Sequence, residues 1–242
     1  MQLNPKIFLG LTTTGLATTN KSSWQTKIEE IKKFDIEEIA LFTTALDPEK
    51  RQDLYELLKD SPVKKIPFVH LRHDSSEEEI IYLINNYGTK LFNIHASPDT
   101  LENYKNFSID KKMIFVENTD HLTDAFWPAV KEYGGVCLDF AHYEDYGKRQ
   151  KDPTYENFED ELKSFKVGFA HISGVQDEKY TRHDSYFSFY DDHYSVHFLK
   201  KLSDLDYLKN YRHLFPEISA IELENSLEEQ LKIKEYIERE IL

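Results

Sequence analysis

A single cysteine, Cys137, in 242 residues excludes an intrachain disulfide. It falls inside a stretch that reads as a strand, where a small buried hydrophobe is expected rather than a reactive thiol. No run approaches 18 apolar residues, and the opening MQLNPKIFLG lacks the apolar core of a secretion signal. The expectation is a soluble, cytoplasmic protein with no membrane partner and no implied protein partner. Basic residues are also short, 30 Lys and Arg against 44 Asp and Glu, for a formal net charge of −14. That argues against a generally basic, nucleic-acid-coating surface, while leaving room for a local basic groove or for cations bound among clustered carboxylates. Low-complexity tracts and Pro/Gly/Ser linkers are missing, so residues 1–242 read as one domain. A phosphate-binding GxxxxGK[ST] and a nucleophile-elbow GxSxG are missing as well, which gives no support to nucleotide-dependent or serine-hydrolase chemistry.

What is present is an alternation of strand and helix. Apolar stretches at 6–12, 36–44, 66–72, 90–96, 112–118, 134–140, 166–173 and 220–226 read as strands. Segments with helical spacing and Ser or Asp-Pro starts follow at 22–34, 47–60, 75–87, 97–107, 121–133, 153–165 and 227–241. Residues 174–195 read as a long polar loop after the seventh strand. Eight βα units predict an α/β fold with a parallel sheet, closed into a (β/α)8 TIM barrel. An open doubly wound sheet is the runner-up, but the turn after its first strand would carry GxGxxG, and this chain has GLTTTG.

In such a barrel the chemistry sits at the C-terminal ends of the strands. Those ends carry His70, His95, Glu117, Asp139 with His142 just beyond, His171 and Glu224, and the long loop adds Asp191 and His193. Strand alternation puts Phe68 with His70, Phe115 with Glu117, Cys137 with Asp139, Phe169 with His171 and Glu222 with Glu224 on shared faces. A lone strand-end histidine is usually a satisfied core or loop residue. Nine nitrogen and oxygen donors at matching ends of six strands are different. So many carboxylates on one axis repel one another unless protonated or matched by cations. Lys and Arg are missing from those ends, and imidazole with carboxylate is the donor set of Zn²⁺, Mn²⁺ or Fe²⁺.

The motifs FVENT (115–119), GVCLDFAH (135–142), His171, the Asp191-x-His193 pair and IELEN (221–225) resemble the endonuclease IV family of the xylose-isomerase-like TIM-barrel superfamily. The resemblance spans strands three to eight. It implies that Glu117, Asp139, His171 and Glu224 form the metal quartet of the wider superfamily. It implies further that His70, His95, His142, Asp191 and His193 extend this to as many as three Zn²⁺, with Mn²⁺ the other candidate.

On that basis the expected activity is metal-dependent hydrolysis of a phosphodiester, with a metal-bound hydroxide as nucleophile. The substrate would be abasic-site DNA or another phosphate ester, contacted by Arg182 and His183. The alternative is a metal-dependent sugar isomerase or epimerase, in which Glu117 and Glu224 hold one ion and move a proton beside a carbonyl. A barrel that keeps these residues without catalysis is the third reading. His183 with Asp184 could replace His193 with Asp191, and His73 with Asp74 could supplement His70. The role of Glu222 stays open, as do Lys148, Arg149 and Lys151, a small basic cluster at the same end.

Overall fold

The computed structural model describes residues 5–14, 23–184 and 189–242, with side chains left undescribed at 181–184 and 189–191. Its strands are β1 (Lys6–Phe8), β2 (Gly10–Thr12), β3 (Ala40–Phe42), β4 (Phe68–His70), β5 (Leu91–His95) and β6 (Ile114–Glu117). They continue as β7 (Val136–Asp139), β8 (Val167–Ile172), β9 (Gly174–Asp184), β10 (Phe189–Val196) and β11 (Ile218–Ile221). The main helices are α1 (Trp24–Phe34), α2 (Pro48–Lys59), α3 (Glu77–Tyr87), α4 (Pro98–Tyr104), α5 (Phe126–Glu132), α6 (Phe140–His142), α7 (Phe158–Leu162) and α8 (Leu227–Tyr236).

The first stave is broken at Leu9, and the break closes the ring. β1 pairs in parallel with β11, while β2 pairs in parallel with β3. The remaining strands follow in chain order, so nine short strands make eight staves of a single-domain TIM barrel. At the seam only glycine fits: a Cβ on Gly10 would lie 1.9 Å from the carbonyl oxygen of Ile221. The Gln230 side chain of α8 fills the gap. Its Oε1 accepts from Gly10 N at 2.8 Å, and its Nε2 donates to Gly10 O, Leu223 O and Asn225 O at 3.0–3.2 Å.

Alternation sorts the side chains into two cores. Leu41, Val69, Ile94, Val116, Leu138 and Ile172 face outward and meet the helices in one continuous apolar layer. Phe8, Ala40, Phe42, Phe68, Phe115, Cys137, Phe169 and Ala220 face inward and plug the barrel. The helices start where the sequence signals predict. Ser23, Asp47 and Ser97 accept from backbone amides at the first turns of α1, α2 and α4, and Ser76 with Glu79 makes a capping box on α3. Glu79 also receives the fully buried Arg51 at 2.7 Å, which ties α3 to α2.

Several boundaries differ from the sequence reading. The last stave is Ile218–Ile221 rather than 220–226. Glu222 N still donates to Ile172 O at 2.8 Å, but Glu224 N has turned to His197 O at 2.6 Å, so the ladder ends between them. The stretch read as a long loop is an antiparallel hairpin, β9 with β10. Its base is fixed by Asp145, whose Oδ2 accepts from Tyr194 N and Ser195 N at 2.8 Å each. The segment between the sixth predicted strand and the helix expected over 153–165 is α6 continuing into a π-type turn over Tyr143–Arg149. The helix expected over 121–133 is confined to α5, and that over 153–165 to a 3₁₀ turn and α7.

Lys27 of α1 is fully buried at the seam, donating to Thr12 Oγ1 and Leu223 O at 2.7 Å each. Burial depresses its ammonium to about 7, against the pull of Glu224 and Glu30. The unfolded chain therefore holds a proton between pH 7 and 10.5 that the folded chain has released. Lys27 should make stability rise with pH across that window, by up to about 1.4 kcal/mol per pH unit. In urea melts the advantage of Lys27→Met over wild type should be greatest below pH 7 and shrink steadily to pH 10. A difference that does not vary with pH would refute this assignment.

Among the described residues, no helix is long and apolar enough to cross a membrane.

Candidate metal centre

The upper end of the barrel is organised around Glu117, the last residue of β6, which is 2% exposed. Its two carboxylate oxygens face different partners. Oε2 lies 3.4 Å from His70 Nδ1 and 3.6 Å from His95 Nε2. Oε1 lies 3.4 Å from His171 Nδ1 and 4.0 Å from His142 Nδ1. Beyond them, Asp139 Oδ2 is 3.5 Å from His142 Nδ1 and 3.9 Å from His171 Nδ1, and Glu222 Oε2 is 3.1 Å from His171 Nδ1. Two sets of donor atoms, each within a span of 4.8 Å, result: His70, Glu117, His171 and Glu222, and Glu117, Asp139 and His142. Glu117 belongs to both.

The support beneath these groups is aromatic. Phe42 meets the His171 ring edge-on at 5.1 Å, and Phe68 stacks on it at 5.8 Å. Cys137 Sγ is 3.3 Å from His171 Nε2, which leaves Nδ1 aimed at the carboxylates. Burial pushes the Cys137 thiol up to about 12, in keeping with a packing role. Asn118 holds Asp139 by its backbone, donating to Asp139 O at 2.9 Å and accepting from Asp139 N at 2.8 Å. Asp139 Oδ1 caps α6 by accepting from His142 N at 2.8 Å, so Oδ2 is the oxygen that points into the cluster. Asn93 Nδ2 donates to Glu117 Oε2.

The electrostatics are those of charges packed without solvent. Burial opposes ionisation of Glu117, but the imidazoles of His70, His171 and His95 overcome it and hold the carboxyl well below its usual range. Asp139 moves the other way: burial raises it, and Glu117 and Glu222 add to that against His142. Burial drops His70 to about 4, whereas His142, against burial, is raised to about 9 by Asp139, Asp120 and Glu117. His70 Nδ1, His171 Nδ1 and Asp139 Oδ2 are buried and make no well-aligned hydrogen bond among the described residues. Buried polar atoms are nearly always satisfied, so three orphans converging on one carboxylate fit a cation. The donor set of imidazoles and carboxylates suits a divalent ion such as Zn²⁺ or Mn²⁺.

His70, His95, Glu117, Asp139, His142 and His171, named from the sequence, thus come together. His95 is half-exposed, and its ring is 4.9 Å from His70, at the open side of the cluster. Glu224 lies in neither donor set, because β11 ends three residues before it; Glu222, which the sequence left open, occupies the place beside His171. His193 is a buried residue of β10, its Nδ1 2.8 Å from the Tyr146 hydroxyl, and is likewise in neither set. The side chains of Arg182, His183, Asp184 and Asp191 lie outside the described residues. Asp74 pairs with Arg51 at 2.9 Å and Arg72 at 3.3 Å, a structural role. Lys148 and Arg149 are paired with Glu159 and Glu144, each at 2.9 Å. Asp120 was not anticipated: its Oδ1 is 3.4 Å from His142 Nε2, on the far side of the ring from Asp139. Nothing in the strand periodicity marks it, since it lies beyond the end of β6.

Among solved structures, the chain matches a xylose isomerase-like TIM barrel protein from Mycobacterium smegmatis in complex with magnesium. The match covers 96% of this chain and 95% of that one, at 12% identity and a TM-score of 0.50. The shared fold is that of a TIM barrel. At this identity the likeness is one of fold alone. No family model and no curated protein matches the sequence.

The two glutamates of the last stave can be told apart in this barrel. Glu222→Ala should weaken divalent-metal affinity by about 100-fold or more, since even residues that only orient a ligand are worth 10–100-fold. Glu224→Ala should change it several-fold at most. Isothermal titration with Zn²⁺ and Mn²⁺ reads both, and the reverse ranking would restore Glu224 as the ligand.

Proposed function

We propose that this protein is a divalent-metal-dependent hydrolase of a phosphate ester, whose ions would be held by the two donor sets that share Glu117. The observation that carries the reading is the division of Glu117, one oxygen facing His70 and His95, the other facing His171 and His142. One ion would be held by His70, Glu117, His171 and Glu222, the other by Glu117 and Asp139 beside His142, with His95 at the open side. Bound divalent ions supply Lewis-acid charge for the phosphate oxygens and lower the pKa of water toward ~7.

The chain's own part is positional. Asn93 fixes the Oε2 side of Glu117, and Cys137 holds the His171 ring at Nε2 with Nδ1 towards the carboxylates. Asp120 and Asp139 hold His142 from its two sides, and their charges, against burial, keep this imidazole charged to about 9 in the metal-free state. His142 is then placed to donate a proton to a leaving oxygen. The half-exposed His95 leaves the Glu117 side open to an incoming phosphate. The acidic chain and the ion-paired Lys148 and Arg149 favour a small phosphodiester over duplex DNA.

One observation favours a second reading, a one-ion sugar isomerase or epimerase: His171 Nδ1 lies 3.1–3.9 Å from three carboxylates, Glu222, Glu117 and Asp139. Metal counting on protein purified without chelator, with assays on bis(p-nitrophenyl) phosphate and an abasic-site duplex, separates the two. Two ions per chain with phosphodiester cleavage is the expected result. One ion per chain with interconversion of keto-sugars and no phosphate ester cleavage would overturn it.

A further inference from the structure

The opposite mouth of the barrel holds a second cavity, of about 950 Å³, formed where β4, β5, β8 and β11 begin. A volume near 1,000 Å³ is large enough for a cofactor-sized molecule. The floor is apolar: Leu91 and Ile218, both half-buried, pack against the inner plug, and half-buried Phe215 closes one wall. Gly168 lines it too, and it must be glycine, because a Cβ there would lie 2.2 Å from the Phe115 ring. The rim is basic in a chain whose net charge is −14. Lys64, Lys65, Lys90 and Lys166 surround the opening, all exposed, against one lining carboxylate, Glu217.

Two of these lysines are already engaged, Lys64 with Glu37 and Lys65 with Glu38 at 3.1 Å. Lys90 and Lys166 make no ion pair with a described residue, and Lys166 Nζ sits 5.4 Å above the Phe115 ring at the edge of the floor. An apolar floor under unmatched ammonium groups is complementary to a molecule that is apolar at one end and negative at the other. A neutral apolar ligand would leave both charges unanswered, and an inorganic anion would leave the floor wet.

We propose that the lower mouth of the barrel is a binding site for a small organic anion with an aromatic or aliphatic body, held by Lys90 and Lys166 over Leu91, Ile218 and Phe215. It is separate from the metal centre and does not depend on its assignment.

The test is a fluorescence titration with 1-anilinonaphthalene-8-sulfonate at low salt, on full-length wild type, Lys90→Glu/Lys166→Glu and the control Lys131→Glu/Lys232→Glu. The control changes net charge equally at exposed lysines elsewhere. Circular dichroism confirms that all three are folded. Wild type should bind one dye saturably, and the pocket variant should bind about tenfold or more weakly, as loss of two charge contacts implies. The control should stay within about twofold of wild type. Three results would overturn the proposal: no saturable binding to wild type, unchanged binding in the pocket variant, or equal weakening in the control.

Discussion

Replacing Glu117 with Gln should abolish the metal centre while leaving the barrel folded. The substitution preserves size and the acceptor for Asn93, but it removes the charge shared by both donor sets. An amide oxygen is a poor ligand for ions otherwise held by imidazole and carboxylate. We expect less than one ion per chain and loss of phosphodiester hydrolysis by about a thousandfold or more, because the Lewis-acid contribution goes with the ions. Wild type should melt higher when Zn²⁺ or Mn²⁺ is added, since a ligand at 100 times its Kd stabilises by roughly 2.7 kcal/mol. The variant should show no such gain. Its metal-free stability should change less than loss of one partner from a simple buried ion pair would suggest. Glu117 attracts His70 and His171 but raises the cost of ionising Asp139, and those two effects oppose. Full metal occupancy in Glu117→Gln would refute the bridging role.

The sequence made most of this centre legible because strand alternation is a period of two. Once the faces bearing Phe68, Phe115, Cys137 and Phe169 were taken as the barrel interior, His70, Glu117, Asp139 and His171 had to converge above them. The same periodicity is silent between Glu222 and Glu224, which share parity. What separates them is where the ladder stops, and that depends on the turn of Glu224 N to His197 rather than on composition. Asn93 and Asn118 lay in view, but amides carry no charge to mark them, and their roles follow from contacts across strands. The hairpin was read as a loop because polar residues dominate it. The apolar alternation that announces a strand is missing from it, although its base is buried at Val175, His193, Ser195 and Val196. Asp145, which anchors its base, is a fully buried acid whose Oδ2 accepts from the distant backbone amides of Tyr194 and Ser195.

Gln230→Met should be the most destabilising conservative change in the helical shell. Gln230 is fully buried, and no feature of the α8 sequence distinguishes it from the solvent-facing polar residues around it. Its amide nevertheless satisfies Gly10 N, Gly10 O, Leu223 O and Asn225 O where β1 gives way to β2. Methionine conserves volume and leaves the Gly10 amide with no donor–acceptor partner in its place. A buried polar group left unsatisfied costs about 1–3 kcal/mol, so the loss of several contacts at once points to roughly 3–5 kcal/mol, measurable as a shift in the urea midpoint. The damage should reach the metal centre. Leu223 directly follows Glu222, so losing the contact of Gln230 with Leu223 O loosens the carboxylate that approaches His171 from just beyond β11. Zn²⁺ affinity should therefore fall in Gln230→Met, whereas a destabilising change of similar size on the far side of the barrel, such as Tyr104→Ala, should leave it nearly unchanged. Equal losses of affinity in the two variants would mean that the seam transmits nothing specific to the site.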